Sequence, residues 1–119
     1  MPADIKGLTV MHYKEDTSDK FYAILPFPIN GAGLALYGKN TDNIGPQTHV
    51  YDKGNANTMI GKKRAKGYKF VPDTHSIFKK VKSWIVDNQI ELNRQVRRKG
   101  FANDLKITDF LVHEPTLDL

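Results

Sequence analysis

A chain of 119 residues, 39% apolar and 26% charged, fits one globular domain that can bury a core without covalent staples. The lack of cysteine removes disulfides, thiolate metal sites and a thiol nucleophile together, and no apolar run approaches the roughly 20 residues of a membrane-spanning helix. The formal net charge is +5, but one block carries more than the whole excess: residues 53–82 are strongly basic, with Asp73 their one acidic residue, while the flanking segments are slightly acidic. Such an asymmetry points to a polyanionic partner. The N-terminus lacks the apolar core of a secretory signal, so an intracellular, cytoplasmic location is expected.

In chain order, residues 1–7 read as a loose lead-in. Leu8 to Tyr13 alternates, with Leu8, Val10 and His12 opposite Thr9, Met11 and Tyr13, as a strand does. The polar turn Glu15–Asp19 leads to a second strand, Phe21 to Phe27, in which Phe21, Ala23 and Leu25 oppose Tyr22 and Ile24. Pro26 and Pro28 cannot donate to a sheet ladder and end it or hold it at an edge. After an Asn30–Gly33 turn, Leu34 to Lys39 forms a third strand. The interval from Gly38 to Gln47 is a loop rich in Gly and Asn, and Thr48 to Tyr51 is a short fourth strand.

Asp52–Asn55 breaks that strand. Asn55 or Asn57 then caps a short helix, about 55–66, which Gly67 stops. Lys62, Lys63, Arg64 and Lys66 fall in its last turns, where the helix dipole favours cations, so local electrostatics accounts for part of the basic run. Tyr68 to Val71 is a last short strand before Pro72. Asp73 or Thr74 caps a long helix, about 74–99, whose apolar stripe includes Ile77, Val81, Trp84, Ile85, Leu92 and Val96. The tail carries Leu105, Ile107, Phe110, Leu111 and Val112, enough apolar material to pack back on the body. The expected class is α+β: a small antiparallel sheet of four to five strands with the two helices packed on it, in one domain.

Catalytic constellations are absent from the pattern. His12, His49, His75 and His113 show no paired ligand spacing, and His113-Glu114 lacks the second histidine of a helix-borne zinc motif. Ser18, Ser76 and Ser83 stand in no nucleophile-elbow context. Gly31-Ala-Gly33 precedes a strand, the reverse of the dinucleotide-site order. Neither cofactor nor metal is expected.

Residues 20–70 nevertheless carry a recognisable order. A strand opens Lys20-Phe21-Tyr22; another ends in aromatic-glycine-cation at Tyr37-Gly38-Lys39; Gly45-Pro46-Gln47-Thr48, an aromatic at Tyr51, an alanine-bearing helix and Lys62-Lys63 to Lys66-Gly67-Tyr68 follow. This resembles the WGR domain, named for its Trp-Gly-Arg signature and found in DNA-break-activated poly(ADP-ribose) polymerases and in small bacterial proteins. The resemblance implies a WGR-like core over about 8–71, an antiparallel sheet with a helix on it, and a signature that meets DNA. Here tyrosine stands for the tryptophan, lysine for the arginine, Asn40-Thr41 for the apolar-glycine pair that follows them, and Pro46 interrupts the usual Gly-Gln.

The function expected from these residues is a non-enzymatic nucleic-acid-binding module, DNA rather than RNA. Tyr37 would stack, Lys39 would anchor the adjoining phosphate, and Lys62, Lys63, Arg64 and Lys66 would neutralise further phosphates. The alternative from another class is a small protein-interaction module or inhibitor that covers an acidic surface of a partner, with Phe27 and the tail as contacts. Its size would suit a phage-encoded accessory protein.

Overall fold

The computed structural model describes residues 7–26, 32–51, 55–96 and 98, together with the backbone of 4–5 and 111–112. Phe27, half of the Asn30–Gly33 turn, most of the Asp52–Asn55 turn, His113 and the greater part of the tail lie outside the described residues.

Strand β3 (Ser18–Pro26) stands at the centre. Its residues Phe21 to Leu25 are buried without interruption. A strand that alternates apolar and polar residues needs cover on one face only; an unbroken apolar run needs it on both. β3 pairs antiparallel with β2 (Thr9–Glu15) on one side and β4 (Gly33–Lys39) on the other. β5 (Gln47–Tyr51) extends the sheet beyond β4, and the two-residue β6 (Lys69–Phe70) borders β2, giving the order β5-β4-β3-β2-β6. The class is α+β, as the apolar patterning indicates, and Pro26 is still in the ladder, opposite Gly33.

The sheet separates two apolar clusters. One face buries Val10, Phe21, Ala23, Leu25, Leu34 and Leu36 against α2 (Ser76–Asp87) and α3 (Gln89–Val96), which contribute Ile77, Val81, Ile85, Leu92 and Val96. The other buries Met11, Tyr22, Ile24 and Ala35 under α1 (Asn55–Ala65). Each fully buried aliphatic or aromatic side chain here is worth on the order of 1.5–3 kcal/mol. The Thr48 hydroxyl on β5 donates to Gln95 Oε1 on α3, tying the sheet edge to the helical layer.

The structure corrects three expectations. Residues 4–5 are not a loose lead-in: Asp4–Ile5 (β1) pairs antiparallel with Leu111–Val112 (β7). The single helix expected over 74–99 is two, because Asn88 leaves helical geometry (φ −119°, ψ 26°) while its side-chain amide donates to the Trp84 carbonyl at 2.8 Å, occupying an acceptor the helix ladder also uses. The cap of α2 is neither Asp73 nor Thr74. His75 has the extended backbone of a cap, and its Nδ1 accepts from the Ile77 N–H at 3.1 Å.

The end of α1 follows its sequence closely. Gly67 N–H donates to Arg64 O at 3.0 Å and Tyr68 N–H to Lys63 O at 3.1 Å, the paired bonds of a Schellman motif, with Gly67 at φ +108°. A Cβ at Gly67 would also stand 3.3 Å from the Tyr13 ring. Gly61, inside the same helix, has open space around its Cβ position. Urea denaturation should therefore give opposite signs for two identical substitutions. Gly67→Ala loses at least about 1–2 kcal/mol through its positive φ and the Tyr13 contact, and Gly61→Ala gains about 0.5–1 kcal/mol from helix propensity.

Candidate nucleic-acid interface

Helix α1 is a poor amphipathic helix, and the reason lies at the site. Its sheet-facing stripe runs Ala56, Met59, Ile60 and then Lys63, so a lysine takes the position where a fourth apolar residue would extend the seam. At the other end the helix comes close to β4 through small groups: Ala56 is buried, and a Cβ on Gly33 would lie 3.2 Å from the Ala56 Cβ. At the Lys63 end the aliphatic stem follows the apolar surface, and the amine rests over aromatic rings, 4.9 Å from the Tyr22 centroid and 5.5 Å from that of Tyr68. Burial lowers the pKa of Lys63, and the neighbouring cations Lys66 and Lys20 lower it further.

All five tyrosines of the chain belong to this layer. The register aligns Phe70, Met11, Tyr22, Tyr37 and Gln47 as one row across β6, β2, β3, β4 and β5. Tyr37 stacks on Tyr22, with centroids 5.7 Å apart and planes 21° from parallel, and Tyr13 meets Tyr68 at 5.3 Å. Tyr22 donates to the Tyr51 hydroxyl at 3.3 Å. Burial first, then that bond, pushes the Tyr22 phenol well above its ordinary value; the hydrogen bond to Glu15 raises Tyr13, and burial raises Tyr68. These three phenols stay neutral at any physiological pH.

The middle of this row is sealed and its ends are open. Met11 and Tyr22 are buried, whereas Tyr37 is half-buried beside an open hollow of about 440 Å³, shaped by Gly38, Lys39, Thr41, Gly45 and Gln47. One step along the strands, Lys20 and Lys39 are directly opposed across β3 and β4, and the Lys20 amine also caps the Tyr13 ring at 5.1 Å. Like charges in that position repel at a cost to the sheet. Among the described residues no carboxylate pairs with Lys20, Lys39, Lys62, Lys63, Arg64 or Lys66.

The loop after Lys39 is held from behind. Asn40 N–H donates to Asp19 O at 2.9 Å, its side-chain amide reaches the Asp19 carboxylate, and Lys80 on α2 donates to Asn40 Oδ1 at 3.1 Å and to Thr41 O at 3.0 Å. His12 Nε2 lies 2.6 Å from Asp19 Oδ1, and this bond leads the interactions, with Asn40 and Lys14, that hold the Asp19 carboxyl below the usual range. Asn40 and Thr41, where the resemblance leads one to expect an apolar residue and glycine, thus bind the tip to both β3 and α2.

Of the residues singled out in the sequence, Tyr37 and Lys39 share one hollow, and Lys63, with the charge of Lys66 near it, lies over Tyr22, the ring on which Tyr37 stacks. Arg64 points the other way along α1, with its guanidinium Cζ 5.1 Å from the Phe70 ring. Lys62 is exposed on α1. Sequence reading missed Lys20 and Phe70. Lys20 was findable, since the β3–β4 hairpin places it opposite Lys39; Phe70 alternates with Tyr68 and so shares its face. Among the described residues no group of three or more His, Cys, Asp or Glu is placed to hold a metal, and no helix is long and apolar enough to cross a membrane. No protein-family model matches the chain, and the searches of curated proteins and of solved structures return no match.

Lys63 offers a direct check on the electrostatics of the site. An NMR titration of its side chain should give a midpoint below the ordinary lysine value of 10.5; Lys20→Ala should raise that midpoint, as should added polyphosphate. Since the folded chain releases this proton before the unfolded chain does, charged Lys63 costs stability at neutral pH, and the cost lifts as the pH rises through the folded midpoint toward the unfolded one.

Proposed function

We propose that this chain is a non-enzymatic nucleic-acid-binding module, with DNA favoured over RNA. The observation that carries the proposal is the open Tyr37 end of the aromatic row, where Lys39 lines the same hollow, Lys20 stands opposite Lys39 and Lys63 lies over the neighbouring Tyr22 ring, none of them with an acidic partner among the described residues. Clustered cations that repel one another and a partly desolvated amine are costs to the fold, and a ligand carrying several phosphates offsets them. A half-open ring beside those cations suits a base or sugar, and stacking of this kind is worth about 1–3 kcal/mol per base. The resemblance to the WGR domain at Tyr37-Gly38-Lys39 gives the preference for DNA. Lysine in place of arginine supplies a point charge and not a bidentate fork, so phosphate attraction at Lys39 is less directional.

The rival reading, a protein-interaction module or inhibitor directed at an acidic partner, is favoured by Ile90, which is 78% exposed at the start of α3. Nuclease digestion of captured material separates the two, since a nucleic-acid module loses its partner on digestion and an interaction module keeps it.

If about five phosphates are engaged, the logarithm of affinity for DNA should fall with log salt at a slope of about −3.5 for a single strand to −4.5 for a duplex. Replacing Lys39, Lys63 and Lys66 together by alanine should flatten that slope by about two to three. A slope unchanged in the triple variant, in anisotropy titrations at several salt concentrations, removes the assignment.

A further inference from the structure

Phe70 lies at the far end of the same row as Tyr37, and no role assigned above uses it. It is 50% exposed on the edge strand β6, an unusual exposure for a large aromatic residue. Arg64 covers part of the ring at 5.1 Å, and beside it a hollow of about 490 Å³ is shaped by Arg64, Ala65, Gly67, Tyr68 and Lys69. This end therefore repeats the composition of the Tyr37 end: an accessible ring, a shallow open hollow and a cation without a carboxylate partner among the described residues.

The two ends are linked by charge. Three strand spacings separate Phe70 from Tyr37 along the row Phe70–Met11–Tyr22–Tyr37, which is about 14 Å at about 4.8 Å per strand. Over the sealed middle lie the amines of Lys63 on Tyr22 and of Lys20 on Tyr13 and Tyr68, with Lys66 beside them. A span of about 14 Å equals about four base-to-base steps at the stacked rise of ~3.4 Å, and about two to three steps, or three to four nucleotides counting both ends, for a strand extended between its two stacking points. Ring faces at both ends can only be met by bases whose own faces are free, and the bases of a duplex are covered by their neighbours.

We propose that this face binds a single strand of nucleic acid, about three to four nucleotides long across the row, with Tyr37 and Phe70 each stacking one base and Lys20, Lys63 and Lys66 holding the phosphates between them. The proposal rests on the nucleic-acid reading above and narrows it to single strands with a second stacking point. Arg64 belongs to the Phe70 station, where its planar guanidinium extends the stacking platform, and not to the phosphate track.

The test is fluorescence anisotropy at fixed low salt with labelled oligothymidylates of two to eight nucleotides, the matching oligouridylates and a hairpin duplex, using the full chain and its Phe70→Leu, Phe70→Trp and Tyr37→Leu variants. Affinity should rise steeply with length up to about four nucleotides and slowly thereafter, and the duplex should bind more weakly than the eight-mer. Phe70→Leu, which keeps apolar bulk and loses the ring, should weaken the six-mer by about fivefold to a hundredfold while leaving the two-mer less affected; Phe70→Trp should restore or improve it. Circular dichroism of each variant reports whether the fold is intact. Duplex binding equal to or tighter than the eight-mer overturns the single-strand proposal and leaves the broader function standing, as does a folded Phe70→Leu variant with unchanged six-mer affinity. No binding of any oligonucleotide overturns both. Equal affinity for the thymidine and uridine series supports the strand proposal and removes only the preference for DNA.

Discussion

The unbroken burial of Phe21 to Leu25 is the constraint on which the rest of the molecule depends. Five consecutive buried residues in a strand commit both faces of the sheet to cover, and the chain provides it unequally. α2 and α3 bring an aliphatic seam, with Ile77, Val81, Ile85, Leu92 and Val96 closing over one face. α1 brings little: Ala56 is its one buried residue, and Met59 and Ile60 are only partly covered. What completes the second face is the tyrosine layer, whose rings supply apolar area while keeping their hydroxyls at the edge of the layer. The thin cover over that face lets Lys63 enter the seam and leaves Tyr37 and Phe70 open at its margins.

The two faces divide the work accordingly. The α2–α3 side is a packing face, and its polar contacts serve to fasten things: Thr48 to Gln95 at the sheet edge, and Lys80 to Asn40 and Thr41 behind the tip. The α1 side holds the ring-and-amine surface. Since the loop after Lys39 is bonded to Asp19 and Lys80, the Tyr37 hollow opens against a backbone fixed from two directions. A platform held in this way loses less conformational entropy when a ligand settles on it.

How much of this was legible in the sequence depends on the range of the interaction. The strand positions come from alternation and the Gly67 stop from the need for positive φ, both of them local. The break at Asn88 was hidden because Ile85, Leu92 and Val96 stay in phase across it, so the apolar stripe reads as one helix while a single side-chain amide divides the backbone into two. His75 was passed over as a cap because Asp73 and Thr74 have stronger intrinsic preference for that role. β1 and β7 needed a pairing between the two ends of the chain, which no window contains. At the site, Tyr37 and Lys39 were visible as a motif, but Lys20 and Phe70 acquire meaning only once the cross-strand register is known. The density of Lys62 to Lys66 suggested one patch, whereas the helix sends Lys63 inward, Arg64 toward Phe70 and Lys62 to solvent.

The opposition of Lys20 and Lys39, with Lys63 and Lys66 near at hand, has an effect on the protein by itself. Mobile ions screen repulsion among these amines as effectively as they screen attraction to a polyanion. Added salt thus relieves a strain within the folded chain while it weakens the hold on a charged ligand, so the fold and the complex respond to ionic strength with opposite signs. The unliganded molecule is least comfortable in dilute solution, and a polyanion bound as proposed would restore the stability of the same region that attracts it.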